Sequence, residues 1–118
     1  MKPTILCYPK CGNCQKAEKW LKSNKIEYTY RPIKEENPTK AELTEWLEKS
    51  GLPIAKFFNT SGLLYKEHNM KDKVKSLSNN DLIEILSQNG LMVKRPVLLA
   101  GDKVLVGFKE EDWDKLFH

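Results

Sequence analysis

The chain reads as an α/β domain: one mixed four-stranded sheet flanked by helices, with a helical insertion ahead of a final β-hairpin. Three features of the 118-residue sequence carry that expectation. Its first third passes from a short apolar run through a stretch of helical period to a second strand-like run. Its middle, about residues 38–89, has helical signals throughout. Its last third changes to the pattern of a hairpin and ends in a short helix.

Residues 4–8 are a short apolar run, Thr-Ile-Leu-Cys-Tyr, that suits a buried strand stopped by Pro9. From Gly12 to about Asn24 the spacing turns helical. Cys14, Ala17 and Leu21 recur at intervals of three and four with Trp20 beside them, while Lys16, Lys19 and Lys22 take the water side. Residues 26–33 read as a second strand, and Pro32 favours its end or an edge. Strands joined through a helix form a parallel pair.

Pro38 then announces a helix capped by Thr39, with Glu42 reaching back in a capping box. Leu43, Trp46 and Leu47 form its apolar stripe, and Gly51 can close it in the left-handed conformation. Residues 53–74 are expected to hold short helices broken near Asn59-Thr60-Ser61-Gly62. Ser78 opens another helix, with Asp81 at the positive end of its dipole, Leu82, Ile85 and Leu86 on the buried face, and Gly90 at its end. Residues 96–106 read as a hairpin turning at Gly101-Asp102, and Trp113, Leu116 and Phe117 mark a terminal helix. This order of elements is that of a thioredoxin-like fold with an insertion before the hairpin.

Length and composition set the wider limits. A chain of this size holds a single domain, residues 1–118. With 40% hydrophobic and 31% charged residues it has material for a core and is too polar for a membrane protein. No apolar run approaches the ~18–20 residues of a membrane span, and no long apolar h-region follows the start. A cytoplasmic protein is expected. Net charge is +4, but only Arg31 and Arg95 are arginines; the lysines mingle with glutamates along helical stretches. That pattern means a solvated surface, with no direct nucleic-acid partner and no membrane partner. A monomer is expected.

The three cysteines all fall between Cys7 and Cys14. An odd, clustered set in a reducing compartment points to redox chemistry or metal rather than structural staples. Cys11-Gly12-Asn13-Cys14 lies between a strand and a helix. A helix N-terminus presents unpaired N–H groups and a partial positive charge, which favour a thiolate over a thiol. Cys11, at the helix entrance, is the expected nucleophile. Cys14, one turn in on the same face, can attack a mixed disulfide at Cys11 and release a reduced product. Gly12 and Asn13 keep the turn small and approachable.

Zinc would want four ligands, whereas a second Cys pair is absent and His68 and His118 have no matching spacing. The other alternative is an inert pair of small buried residues. Cys7 follows Ile5 by two, so both face one side of the sheet. It reads as a core residue, the functional option being a third thiol that captures Cys11 or Cys14 under oxidation.

Arg95-Pro96 opens a late strand, where thioredoxin-like domains place a cis proline facing the Cys-x-x-Cys. If cis, it would offer the Arg95 backbone to a substrate strand and the guanidinium to a thiolate or oxyanion. The structural alternative is a proline starting an edge strand beside a surface arginine.

Tyr8-Pro9-Lys10-Cys11 with Cys14-Gln15-Lys16-Ala17, then Phe58-Asn59-Thr60-Ser61-Gly62 and Tyr65, then Lys94-Arg95-Pro96, resemble the glutaredoxin-coupled arsenate reductase (ArsC) family and its Spx/MgsR-like relatives. The similarity covers nearly the whole chain. It implies a thioredoxin-like fold with a helical insertion and catalytic roles for Cys11 and Arg95; the Cys-x-x-Cys spacing adds Cys14 as the resolving thiol, and Gly12, Asn13, Asn59 and Pro96 are the expected substrate-binding positions. It implies no bound cofactor, with glutathione, thioredoxin or glutaredoxin as the electron donor. Arsenate reductases of this type use two further arginines, at positions that align with Asn59 and Gly107. Their absence removes most of the charge that would hold an arsenate dianion. Those enzymes also rely on one cysteine plus glutathione, whereas Cys14 offers an internal resolving thiol.

Three functions follow. The first is a thiol–disulfide oxidoreductase acting on a small thiol or a redox protein. The second is a redox-switched regulator resembling Spx, which binds the C-terminal domain of the RNA polymerase alpha subunit. The third is arsenate reduction itself.

Overall fold

A computed structural model describes residues 2–118. In chain order the elements are β1 (Thr4–Cys7), α1 (Gly12–Ser23), β2 (Thr29–Pro32), α2 (Lys40–Ser50), a 3₁₀ turn (Ile54–Phe57), α3 (Leu63–Glu67), α4 (Met70–Ser76), α5 (Asn79–Gln88), a second 3₁₀ turn (Gly90–Met92), β3 (Val97–Ala100), β4 (Lys103–Val106) and α6 (Glu110–Phe117). They fall into two compact units. One runs to Pro32 and resumes over Arg95–His118; the other is Ile33–Lys94. Among the described residues no helix is long and apolar enough to cross a membrane.

The first unit contains the whole sheet, in the order β2-β1-β3-β4. β1 pairs parallel with β2, from Thr4↔Thr29 to Cys7↔Pro32, and antiparallel with β3, from Thr4↔Leu99 to Leu6↔Val97. The β3–β4 hairpin turns at Gly101, whose φ of 63° is the left-handed value that glycine adopts without strain. This mixed sheet is the thioredoxin-like arrangement the sequence predicts. Central β1 is the most enclosed strand, with Ile5, Leu6 and Cys7 fully buried. One core joins Ile5, Cys7 and Leu98 of the sheet to Cys14, Ala17 and Leu21 of α1 and Trp113 of α6.

The second strand is shorter than its apolar run, and the reason is the end of α1. Lys25 takes a left-handed φ of 56°. The Ile26 N–H then donates to Leu21 O at 2.9 Å and the Lys25 N–H to Lys22 O at 3.1 Å. This double closure is a Schellman motif, and it consumes residues that would otherwise extend β2. At the other end of the unit Trp113 stands edge-on to Phe108 (5.0 Å between centroids) and to Trp20 (6.1 Å). Its indole N–H donates to Gly107 O at 3.3 Å, so the buried ring leaves no unmet donor.

The second unit is helical. Thr39 and Glu42 form the expected capping box, with Glu42 N–H to Thr39 Oγ1 at 3.1 Å and Thr39 N–H to Glu42 Oε1 at 3.0 Å. Gly51 closes α2 at φ 67°. Ser78 caps α5 by accepting from the Asp81 N–H at 3.2 Å. On α5 the buried set is Leu82, Ile83 and Leu86, with Ile85 half-buried. Both isoleucines flank the Leu82–Leu86 line, and only packing chooses between them. Gly90 does not end α5, which stops at Gln88; it opens the 3₁₀ turn that follows. A Cβ there would strike Ile33 O and stand 2.8 Å from Asn37 Oδ1, so the glycine is required by close approach. Gly90→Ala should therefore lower unfolding free energy by about 1–3 kcal/mol, the usual cost of overpacking, measured by urea denaturation.

Candidate functional site

The site begins where β1 hands over to α1. The Cys11 N–H donates to Tyr8 O at 3.0 Å, closing a turn with Pro9 at its favoured second position. Gln15 Nε2 donates to Pro9 O at 2.9 Å and ties that turn to the first turn of the helix. Cys11 is the N-cap, with extended backbone (φ −85°, ψ 119°), and its side chain makes no capping bond. Its sulfur is therefore not occupied by the helix it precedes.

The two cysteines of the pair differ sharply in access. Cys11 is half-buried and Cys14 is 1% exposed. Gly12 and Asn13 are exposed, and a Cβ at Gly12 would meet nothing within 4 Å. The rim around Cys11 is open.

Hydrogen bonds converge on Cys14. Its sulfur accepts from the Cys7 thiol, the Tyr8 backbone N–H and the Cys11 thiol, and the Arg95 guanidinium adds a favourable charge. Led by the Cys7 bond, these lower the Cys14 pKa to about 7 although burial pushes it up. Cys7 moves the other way. Its bond to Cys14 holds its proton, burial adds to the effect, and the negative charge of Cys14 and Glu18 completes it. The sequence singles out Cys11 on the helix dipole; the structure also gathers donors on Cys14. Cys7 is a core residue, as its alternation with Ile5 suggests, and is also a donor within the thiol cluster.

Arg95 lies with its guanidinium carbon 5.6 Å from the centroid of the Tyr8 ring, a cation–π contact. Tyr8 thus serves the site twice, through its ring and through its N–H. Sequence reasoning gave it no role, because one aromatic between a strand and a turn carries no periodic signal. The Arg95-Pro96 peptide bond is cis. Pro96 is buried, its carbonyl accepts from the Gly107 N–H at 2.8 Å, and one step beyond the Leu6↔Val97 pair sets it across from Cys7. Asn59 belongs to the second unit. There its N–H donates to Met92 O at 2.9 Å and its Oδ1 accepts from Ser61 Oγ at 3.3 Å.

The sheet and the thiol cluster at its strand-to-helix junction define a thioredoxin-like protein. The model of the ArsC family matches residues 6–116, and the chain belongs to that family. It is 45% identical to the protein YusI of Bacillus subtilis (strain 168) over 115 residues, 98% of each chain. It is 28% identical to the regulatory protein MgsR of the same organism over 113 residues, 96% of this chain and 88% of that one. The structure superposes on an ArsC family related protein from Bacteroides fragilis with a TM-score of 0.94, at 51% identity, covering 98% of this chain and 99% of that one. Proteins named as regulators, MgsR and Spx of Staphylococcus aureus, and a possible arsenate reductase from Streptococcus mutans are among the proteins this chain resembles.

The Cys14 shift has two measurable consequences. Thiolate absorbance of the reduced protein should rise with a midpoint near pH 7, and Cys14→Ser should remove that transition. Folded Cys14 loses its proton at a pH where the unfolded thiol still keeps its own. The stability it contributes is thus present in full above the ordinary thiol range and lost as pH falls through about 7. The melting temperature of reduced wild type relative to Cys14→Ser should fall accordingly on acidification through that window.

Proposed function

We propose that the chain is a thiol–disulfide oxidoreductase in which Cys11 attacks the substrate and Cys14 resolves the intermediate. The observation that carries this reading is the contrast in access within the pair, Cys11 at an open rim and Cys14 1% exposed. An external disulfide meets Cys11, whereas Cys14 is available to a sulfur already attached there.

In the first step the Cys11 thiol passes its proton along its hydrogen bond to Cys14. The Cys11 sulfur then bonds one substrate sulfur, the substrate S–S bond breaks, and the second substrate sulfur leaves as a thiolate. Cys14 next gives up its proton to the departed substrate thiolate, bonds to Cys11 and expels the remaining substrate sulfur as a thiolate, which takes a proton from water. The substrate is reduced by two electrons and the Cys pair is oxidised to a disulfide. A thiol donor of the glutathione, glutaredoxin or thioredoxin type restores the dithiol. Arg95, held over Tyr8, steadies the charged sulfur. No bound cofactor enters the cycle, and the reducing cytoplasm suits it.

Arsenate reduction has less support. Arg95 provides one guanidinium, while Asn59 hydrogen-bonds within its own loop and Gly107 is buried at φ 82°. Neither supplies the charge that an arsenate dianion needs.

Trapping tests the main reading. In Cys14→Ser a mixed disulfide at Cys11 should persist and be identifiable by mass spectrometry, and wild type should give a reversible Cys11–Cys14 bond in a redox titration. No reversible bond, or trapping that survives Cys11→Ser, would falsify the assignment.

The likeness to MgsR over 96% of the chain favours one second reading, a redox-switched regulator. On that reading purified RNA polymerase alpha subunit is retained by the protein in one redox state only. No retention in either state removes it.

A further inference from the structure

The first unit carries a cleft that the proposed cycle does not use. It lies between α1 and the start of α6, holds about 510 Å³, and is lined chiefly by Lys16, Lys19, Trp20, Phe108, Glu110 and Asp114. Lys16, Lys19 and Trp20 stand at helical spacing on the side of α1 that does not carry the buried stripe of Cys14, Ala17 and Leu21. Trp20 and Phe108 form an aromatic floor, with ring centroids 6.4 Å apart, and both remain partly exposed. Behind them Trp113 is fully buried and edge-on to each, which fixes the floor. His118 ties one rim, with Nε2 3.2 Å from Asn24 Oδ1 and 3.8 Å from Asp114 Oδ1.

The charged walls do not close on one another. Among the described residues the side chains of Lys16, Lys19 and Glu110 take part in no ion pair, and the Asp114 carboxylate meets only His118. Each wall sets like charges one turn apart, which costs a helix stability unless a counter-charge lies between them. The first-turn position of Glu110 suits the dipole of α6. That dipole does not call for lysines on the facing helix, or for two aromatic rings left open between the walls.

We propose that this cleft binds a short zwitterionic peptide: Lys16 and Lys19 hold its carboxylate, Glu110 and Asp114 its ammonium, and an apolar side chain lies on Trp20 and Phe108. The volume falls in the ~300–1,000 Å³ range of small-ligand sites, and the few charged groups around an aromatic surface match their usual make-up. Cations come from one helix and carboxylates from the other, so the charges of the ligand must stand at opposite ends. A free amino acid has both on one carbon. A dipeptide separates them by roughly 7 Å, the reach of two extended residues, and offers a side chain between.

The probe is alanyl-phenylalanine, titrated into the reduced full chain and followed by ¹⁵N NMR. Saturable shifts are expected at the Trp20 indole N–H, along residues 16–24 and at the start of α6, with the Trp46 and Trp113 indoles far less affected. Acrylamide quenching of the protein fluorescence should fall in step, because Trp46 and Trp113 are already buried. The N-acetylated peptide and the C-terminal amide should each bind roughly fivefold more weakly, as expected for the loss of one exposed ionic contact. Lys16→Gln with Lys19→Gln should weaken the peptide and leave its amide unchanged, and Glu110→Gln should weaken the peptide and leave the N-acetylated form unchanged. These side chains are exposed, so the fold is expected to survive each change.

Three results overturn the proposal: no saturable shift at millimolar peptide, shifts centred on Cys11 and Arg95 instead of Trp20, or equal affinity for the peptide and both of its charge-blocked forms. The last outcome would reduce the cleft to a patch that collects apolar rings. None of the three bears on the Cys11–Cys14 cycle, which the trapping experiment tests separately.

Discussion

A charged sulfur taken out of water is costly unless donors replace the solvent it loses, and Cys14 meets that condition at 1% exposure. Two thiols and a backbone N–H point at it, and a guanidinium adds charge. The rest of the first unit can be understood as what brings these donors to one point. Cys7 must end the central strand facing α1. The turn from Tyr8 to Cys11 must reverse the chain at once, so that Tyr8 N–H and Cys11 Sγ approach Cys14 from opposite ends of four residues. Tyr8 must also hold Arg95 across its ring.

That convergence tolerates little movement of α1, and the fold restrains the helix at both ends. Gln15 fastens its first turn to Pro9, and the Schellman closure at Lys25 and Ile26 sets the path from its last turn into β2. Trp20 contacts Phe108, Trp113 and Phe117 with centroids 6.0–6.4 Å apart, and each such pair contributes roughly 0.5–1.5 kcal/mol beyond area burial. The aromatic cluster joins α1 to α6 and to the segment after β4. An ion pair at the surface would hold the helix far less firmly.

The proteins that share this scaffold include ones named as regulators and ones named as possible arsenate reductases. Here Gly107 is fixed by its backbone and by the indole of Trp113, while three free cysteines, Cys7, Cys11 and Cys14, lie in and around one core. Such a set is suited to exchanging electrons between sulfurs rather than to gripping a doubly charged oxyanion.

Much of this was readable from residue order alone, because it depends on local chemistry. The capping box at Thr39, the left-handed closure at Gly51, the hairpin turn at Gly101 and the strand-to-helix position of Cys11 each follow from a few neighbouring residues. The alternation of Ile5 and Cys7 and the stripe of Cys14, Ala17 and Leu21 likewise announce their buried faces. Other features depend on neighbours distant in the chain. Only packing selected Ile83 over Ile85, and only the approach of Ile33 O explains the glycine at position 90. Above all, the lowering of the Cys14 pKa comes from groups on a strand, on a turn and on a residue more than eighty positions away. Periodicity reports which face a side chain occupies; it carries no information about what meets it there.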